Sequence, residues 1–226
     1  MKKILIILLL LIINFSAIAH LDHYKNLEKI EMEILRNGKV IGYNYYFFTR
    51  NGNETTITNQ IKFTVKFMGA SIFKVDGYGE EKYFNNKLIS YESKTLQNDK
   101  EKFVKLNFDP KKNKFNIKGS SYTGEAEIDN IVGNWWNHKI LQTSSQISPI
   151  SGSIKEQIVN FVGKEKIKQY GVVYDVDHFT LKSKNMSLPK DKRLDFNIWY
   201  NPKNSMIIRV SYSRMGNWEY RLKNFK

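Results

Sequence analysis

The chain has 226 residues, a formal net charge of +14, 41% hydrophobic residues and no cysteine. The lack of cysteine excludes disulfides, thiolate nucleophiles and zinc–thiolate sites, so a hydrophobic core must hold the fold together. Lysine and arginine are scattered rather than clustered with aromatic residues, which argues against nucleic acid as a partner and leaves an anionic membrane surface as a candidate.

The first 19 residues have the parts of a secretory signal peptide. Lys2 and Lys3 begin it, residues 4–13 are apolar, and residues 17–19 read Ala-Ile-Ala, a small-residue cleavage site. The alternative is an uncleaved membrane anchor, but a spanning helix needs about 18 or more apolar residues. We therefore expect cleavage after Ala19, a periplasmic location and one mature β-rich domain over residues 20–226.

From Glu28 onward the sequence alternates between strand patterns and turn signals, beginning with a hairpin at Asn37-Gly38. The clearest strand covers residues 55–68, where polar residues alternate with an apolar face made of Ile57, Ile61, Phe63, Val65 and Phe67. A period of two is typical of a half-buried antiparallel strand. The sequence predicts an all-β protein with one large curved antiparallel sheet of about a dozen strands. This β-clam or partial barrel would carry one or two short helices as plug or lid.

Residues 130–141, NIVGNWWNHKIL, lack this strand rhythm. At 100° per residue their apolar side chains share about half of a helix circumference: Ile131, Val132, Trp135, Trp136 and Ile140. The pattern predicts a short helix, capped by Asp129 or Asn130, that lies on the sheet as an apolar plug. We interpret the Ser-rich passage after it, residues 142–153, as an exposed connection; the alternative is a mobile loop beside a pocket.

Three groups of polar residues could carry chemistry. Asp175 and Asp177 point to one side of a strand and His178 to the other, so the three cannot ligate one metal without a bulge. The second group, Glu125, Glu127 and Asp129, shares one strand face, where side chains are usually solvated. The third is His138, which could act as a base, although a cap or surface role is the simpler interpretation. We predict no catalytic residue, no metal site and no cofactor.

Several short motifs occur in a recognisable order: NGKVIGYNYYFF, FTVKFMGASIFK, EEKYFNNKLISYESKT, WWN, DFNIWYN and WEYRL. Together they resemble an uncharacterised family of exported bacterial proteins, known as a domain of unknown function. The resemblance covers about Leu35 to Leu222. It implies a periplasmic β-rich fold, similar to the half-barrel of lipoprotein carriers, and no activity. Asn201 replaces an expected aspartate, and residues 182–193 form a longer basic excursion than usual.

The leading hypothesis is an exported, non-enzymatic β-clam that binds an apolar or lipid-like ligand. The expected lining residues are Trp135, Trp136, Phe63, Phe67 and Tyr46. One alternative is an envelope hydrolase or glycan-binding enzyme that uses Asp175, Asp177 or Glu125. Another is a structural or assembly protein of the cell envelope. The oligomeric state is left open.

Overall fold

The computed structural model describes residues 20–226, so the predicted signal peptide lies outside the described residues. Fifteen strands of this part of the chain form one sheet, with 3-10 turns at His20–Tyr24, His138–Leu141 and Lys190–Lys192. The strands are β1 Lys29–Arg36, β2 Lys39–Asn51, β3 Glu54–Phe67, β4 Ala70–Phe84, β5 Lys87–Gln97, β6 Lys100–Asp109, β7 Lys114–Gly119, β8 Thr123–Glu127, β9 Ile131–Val132, β10 Ser145–Ile147, β11 Ile154–Gln169, β12 Val172–Ser183, β13 Asp195–Asn201, β14 Met206–Ser213 and β15 Asn217–Phe225.

Except for β8 and β9, strands that follow one another in the chain lie side by side, and the first and last strands, β1 and β15, pair as well. All pairs are antiparallel except β9 with β10. The order is β8-β7-β6-β5-β4-β3-β2-β1-β15-β14-β13-β12-β11-β10-β9. The predicted fold class, an all-β curved antiparallel sheet, is confirmed.

The sheet curls until its two edges nearly meet. The edge strands β8 and β9 are consecutive in the chain and do not pair with each other. The loop over residues 148–153 covers this seam from inside. The Pro149 carbonyl accepts hydrogen bonds from the Tyr91 hydroxyl at 2.9 Å and the Ser93 hydroxyl at 2.6 Å. Those two side chains lie on β5, and in the turn before the edge strand β8 the Ser121 amide donates to the Ser151 carbonyl at 3.0 Å.

Because neighbouring strands run in opposite directions, alternate turns lie at the same end of the curled sheet. We call one end the mouth end, defined by the turns at Asn37-Gly38 and Met68-Gly69, the connection 184–194 and the turn 214–216. The opposite, floor end is covered by the N-terminal segment. There Arg50 donates to the carbonyls of Leu27 and Tyr24 at 2.7 and 2.5 Å.

The predicted helix over residues 130–141 is wrong. The segment begins as β9, turns at Trp135-Trp136 and ends in the 3-10 turn His138–Leu141. The cap is Asn137, whose side chain accepts from the Lys139 amide, and not Asp129 or Asn130. The parallel pairing of β9 with β10 satisfies the backbone at its start, so the apolar residues need no helical ladder there.

The segment is nevertheless a plug, because Trp136 lies at the centre of the largest core cluster with 1% exposure. Its ring is packed edge-on against three aromatic rings: Tyr24 at 5.4 Å, Phe48 at 5.6 Å and Tyr83 at 6.1 Å. Burial of a side chain this large is a dominant local source of stability. Within the described residues, the structure contains no helix long and apolar enough to cross a membrane.

Candidate functional site

A cavity of about 840 Å³ lies in the curve of the sheet and opens at the mouth end. The inner faces of β2–β5, the start of the plug segment and the loop 148–153 surround its inner part. The connection 184–194 and the turn after β14 form its outer part. Its lining combines aromatic walls, amide and hydroxyl groups, and a charged rim.

Tyr46 lines the cavity and is almost fully buried, with 1% exposure. Its hydroxyl accepts hydrogen bonds from the Asn44 side-chain amide at 2.8 Å and from the Trp135 backbone N–H at 3.1 Å. The Asn44 carbonyl oxygen in turn accepts from the Asn59 side chain at 2.5 Å. These bonds fix the position of the tyrosine, and neither of them uses its own O–H proton.

The two adjacent tryptophans of the plug segment lie in different environments. Trp136 points into the core, whereas Trp135 lines the cavity and is only partly buried. The Trp135 ring is held by Phe196 at 5.1 Å and by Tyr220 at 6.0 Å, both of which also line the cavity. Fixed rings of this kind offer a large apolar contact surface at a low cost in side-chain entropy.

Beneath the cavity lies a buried carboxylate, Glu81, which sequence reasoning missed. Its oxygens accept hydrogen bonds from the Tyr83 hydroxyl at 2.5 Å, the Asn134 amide at 2.7 Å and the Trp136 indole N–H at 2.8 Å. Burial raises the pKa of this carboxyl above its ordinary value, and the three hydrogen bonds oppose the rise. The sequence signal for this position was the period of two in β4. Residues 77, 79, 81 and 83 share one face of the strand, and this face points inward.

His138 is also buried, so its predicted cap or surface role is wrong. Its Nδ1 lies 2.7 Å from the Tyr24 hydroxyl, which donates to the Ser205 carbonyl at 3.0 Å. Burial lowers the pKa of the His138 imidazole to about 4, and the nearby His23 and Lys139 add to this. The neutral imidazole therefore ties the plug segment to the floor end.

The rim of the cavity is basic. Five cations and two carboxylates line it: Lys155, Lys182, Lys190, Arg193, Arg214, Asp191 and Asp195. Among the described residues none of these five cations forms an ion pair. Arg193 and Arg214 instead donate to the carbonyls of Leu188 and Arg193, at 2.6 and 2.9 Å. Part of the basic excursion noted in the sequence thus contributes to the mouth.

The five predicted lining residues fall into three environments. Tyr46 and Trp135 meet at the cavity, joined by the hydrogen bond described above. Trp136 and Phe63 lie in the core, where Phe63 packs against Trp218 at 5.5 Å. Phe67 is 61% exposed near the tip of the β3–β4 hairpin, because β3 extends beyond the residues that pair with β2. The binding role of these residues stays a prediction.

The predicted polar groups are not brought together. Asp175 pairs with Lys203 at 3.1 Å on the surface, while His178 lies on the other strand face, stacked on Trp199 at 4.6 Å. Glu125 pairs with Lys112 at 2.6 Å. Asp175 and Glu125 thus belong to solvated ion pairs, and none of the predicted carboxylates lines the cavity. Within residues 20–226 no three His, Asp or Glu side chains are grouped to hold a metal ion.

The Ser-rich passage 142–153 is not the exposed connection that we favoured. It contains β10, whose Gln146 and Ile147 are buried, and Ser148, Pro149 and Ile150 line the cavity. The alternative, a segment bordering a pocket, describes its position. Its polar side chains satisfy buried groups: Gln146 donates to Gln157 at 2.6 Å.

Comparison with known proteins gives a family and a fold. The profile of a family described as "Domain of unknown function (DUF6134)" matches residues 32–223. Among solved structures, the chain is similar to a beta-barrel-like protein of the domain of unknown function DUF1849 from Brucella abortus. The TM-score is 0.58 at 10% identity, over 88% of this chain and 96% of that one. At this identity the likeness shows the fold alone. A search of curated proteins finds no match.

Proposed function

We propose, from the premise that this chain belongs to the family described as Domain of unknown function (DUF6134), that it is an exported, non-enzymatic protein that binds a lipid-like ligand. The observation that carries the proposal is the cavity of about 840 Å³ inside the curled sheet. Its volume falls within the range of roughly 300–1,000 Å³ that is common for small-molecule sites.

The cavity wall supports an apolar ligand body. Trp135, Phe196 and Tyr220 form one packed aromatic group on one side, and Ile61 and Ile150 add aliphatic surface. An acyl chain or another apolar body placed there would remove both its own surface and this wall from water, which is the main favourable contribution to such binding.

The inner end of the cavity supports a ligand that also carries a hydrogen-bond acceptor. The Tyr46 hydroxyl already accepts two hydrogen bonds, so its remaining role is to donate. A carbonyl or ester oxygen is the matching group, and a pure hydrocarbon would leave this donor without a partner. The proposed ligand class is therefore an acyl lipid or fatty acid rather than an alkane-like molecule.

The enzyme alternative has less support. This alternative required Asp175, Asp177 or Glu125 to line a common concave pocket, and none of the three lines the cavity. Asp191 and Asp195 line the cavity among the cations of its rim, and the buried Glu81, which contacts the lining through Asn134, has its oxygens engaged by three donors from the protein. A group held in this way is positioned to support the plug rather than to attack a substrate.

The proposal is tested by ligand uptake. Protein purified without delipidation would be examined by native mass spectrometry, then delipidated and titrated with a fluorescent fatty acid and a fluorescent phospholipid. We expect bound lipid mass in the first measurement and saturable uptake of at least one probe in the second. Absence of both would overturn the proposal.

A further inference from the structure

We propose that the mouth end of the sheet is a docking surface for an anionic lipid bilayer. This goes beyond ligand binding in the cavity, since it concerns the outer surface and a different partner. The surface consists of the exposed apolar side chains at the mouth-end turns together with the rim cations Lys182, Lys190, Arg193 and Arg214.

The apolar part of this surface lies at the tips of separate turns. Met68 is 92% exposed, Met215 87%, Phe67 61% and Met186 58%. Met68 has a positive φ of 48° at the turn of the β3–β4 hairpin, so its side chain is displayed by a tight turn. Large apolar side chains on protruding turns are poor candidates for a dry core contact, but they can enter the headgroup and upper acyl region of a bilayer.

Direct contacts link these turns into one end of the molecule. On the hairpin that carries Phe67, Phe63 packs on Trp218, whose indole N–H donates to the Arg214 carbonyl at 2.9 Å. Arg214 donates in turn to the Arg193 carbonyl in the connection 184–194. The apolar tips and the basic rim therefore form one surface held by the sheet.

Charge selects the partner. The five cations of the rim outnumber its two carboxylates, Asp191 and Asp195, and none of the five forms an ion pair among the described residues. An anionic leaflet attracts such cations, and the attraction falls within a Debye length of the surface. A second copy of the chain would bring an identical basic end against it and be repelled.

Docking in this orientation places the cavity mouth against the bilayer. Met186, Met215 and the rim cations belong both to the proposed docking surface and to the cavity lining. A lipid-like ligand could then pass between bilayer and cavity without exposing its apolar part to water, for which the cost would scale with the exposed area.

The test is co-sedimentation with vesicles of phosphatidylglycerol and phosphatidylcholine, and with phosphatidylcholine alone, using the chain as the expressing bacterium processes it. A tip variant carries Phe67→Ser, Met68→Ser and Met215→Ser. The matched control carries Phe84→Ser, Val172→Ser and Val173→Ser, which remove three exposed apolar side chains at the floor end. Both retain the rim cations and any N-terminal segment.

We expect the wild type and the control to bind the anionic vesicles, with at least about tenfold weaker binding by the tip variant and weaker binding of all three in high salt. Equal binding by the tip variant and control would overturn the proposal. So would a tip variant that loses self-association in sedimentation velocity while no variant binds vesicles, because that result assigns the surface to a second copy.

A second measurement is independent of overall stability. The chain has no cysteine, so Met68→Cys and Val173→Cys each give one site for a polarity-sensitive dye. On anionic vesicles the dye at position 68 should shift to the blue and become protected from an aqueous quencher, while the dye at 173 should not change. A shift at 173 alone, or at neither position, contradicts docking through the mouth end.

Discussion

The indole N–H of Trp136 donates a 2.8 Å hydrogen bond to the carboxylate of Glu81, across 55 positions of sequence. One partner comes from the plug segment and the other from the inward face of β4. Both are almost fully buried, so this bond fixes how the plug sits in the sheet. The neighbouring Trp135 is thereby directed to the cavity, and the position of the candidate site depends on the pair.

Two substitutions of Glu81 distinguish the contribution of its hydrogen bonds to stability from the contribution of its charge. Glu81→Ala removes the carboxylate that accepts from the buried N–H groups of Trp136 and Asn134, and we expect a loss of about 3 kcal/mol in the free energy of unfolding. Glu81→Gln has nearly the same shape, accepts from the same two groups and can donate to Tyr83. Urea unfolding of both variants measures the difference.

The pH dependence of that pair has a defined sign. Burial raises the pKa of the Glu81 carboxyl above 4.5. Between the unfolded-state pKa and the folded-state pKa, the folded protein therefore keeps a proton that the unfolded chain has lost. Its contribution to stability is therefore greatest at low pH and is lost as pH rises through the folded-state pKa. Glu81→Gln should gain stability relative to the wild type as pH rises through the folded-state pKa of Glu81. A constant difference would contradict the raised pKa.

His138 has the opposite dependence. Burial lowers the pKa of its imidazole from 6.5 to about 4, so its contribution is fully present above 6.5 and is lost as pH falls toward 4. We expect a cost of about 3 kcal/mol over this range, measured by urea unfolding at several pH values. His138→Gln should remove this loss of unfolding free energy at acidic pH. The control His23→Gln, at an exposed position, should retain most of the loss.

Two glycines provide a matched test of how closely the strands approach. A Cβ added at Gly42 would lie 2.0 Å from the Lys62 carbonyl oxygen, whereas one at Gly163 would meet nothing within 4 Å. Gly42→Ala should therefore destabilise the protein by about 2 kcal/mol or more, and Gly163→Ala by less than about 0.5 kcal/mol. Thermal unfolding of the two variants checks this, and equal midpoints would contradict the packing of β2 against β3.

Filling the cavity should reduce ligand uptake without unfolding the protein. Ile61 lines the cavity, and its neighbour Gln60 points to solvent. Ile61→Trp adds bulk to the wall and should weaken fatty-acid uptake by about tenfold or more. Gln60→Trp adds the same side chain outside and should leave uptake unchanged. Fluorescent fatty-acid titration measures both, and equal affinities would place the ligand outside the cavity.

The sequence predicted much of the fold because strand alternation is a local signal. In β3, Ile57, Phe63 and Val65 are buried, as the period of two predicts. The plug role of Trp136 followed from its size and its position outside the strand rhythm. The helix over residues 130–141 was wrong because β9 pairs with β10, a contact that no local pattern encodes.

The sequence predicted the candidate site less completely than the fold. Tyr46 and Trp135 were predicted to line a cavity, but their mutual hydrogen bond depends on two elements separated by 89 positions. Phe67 was predicted as a lining residue from the face it shares with Phe63, and the end of the neighbouring strand leaves it exposed. Glu81 was missed because charge suggested a solvated residue, although its position on β4 indicated the inward face.

The most direct test of lipid binding in the cavity is the detection of intermolecular nuclear Overhauser effects between a ¹³C-labelled fatty acid and the delipidated protein. We predict contacts from the acyl methylenes to the ring protons of Trp135, Phe196 and Tyr220, with chemical-shift changes at Tyr46. Contacts confined to exposed residues such as Phe161, or no contacts at saturating fatty acid, would contradict the account.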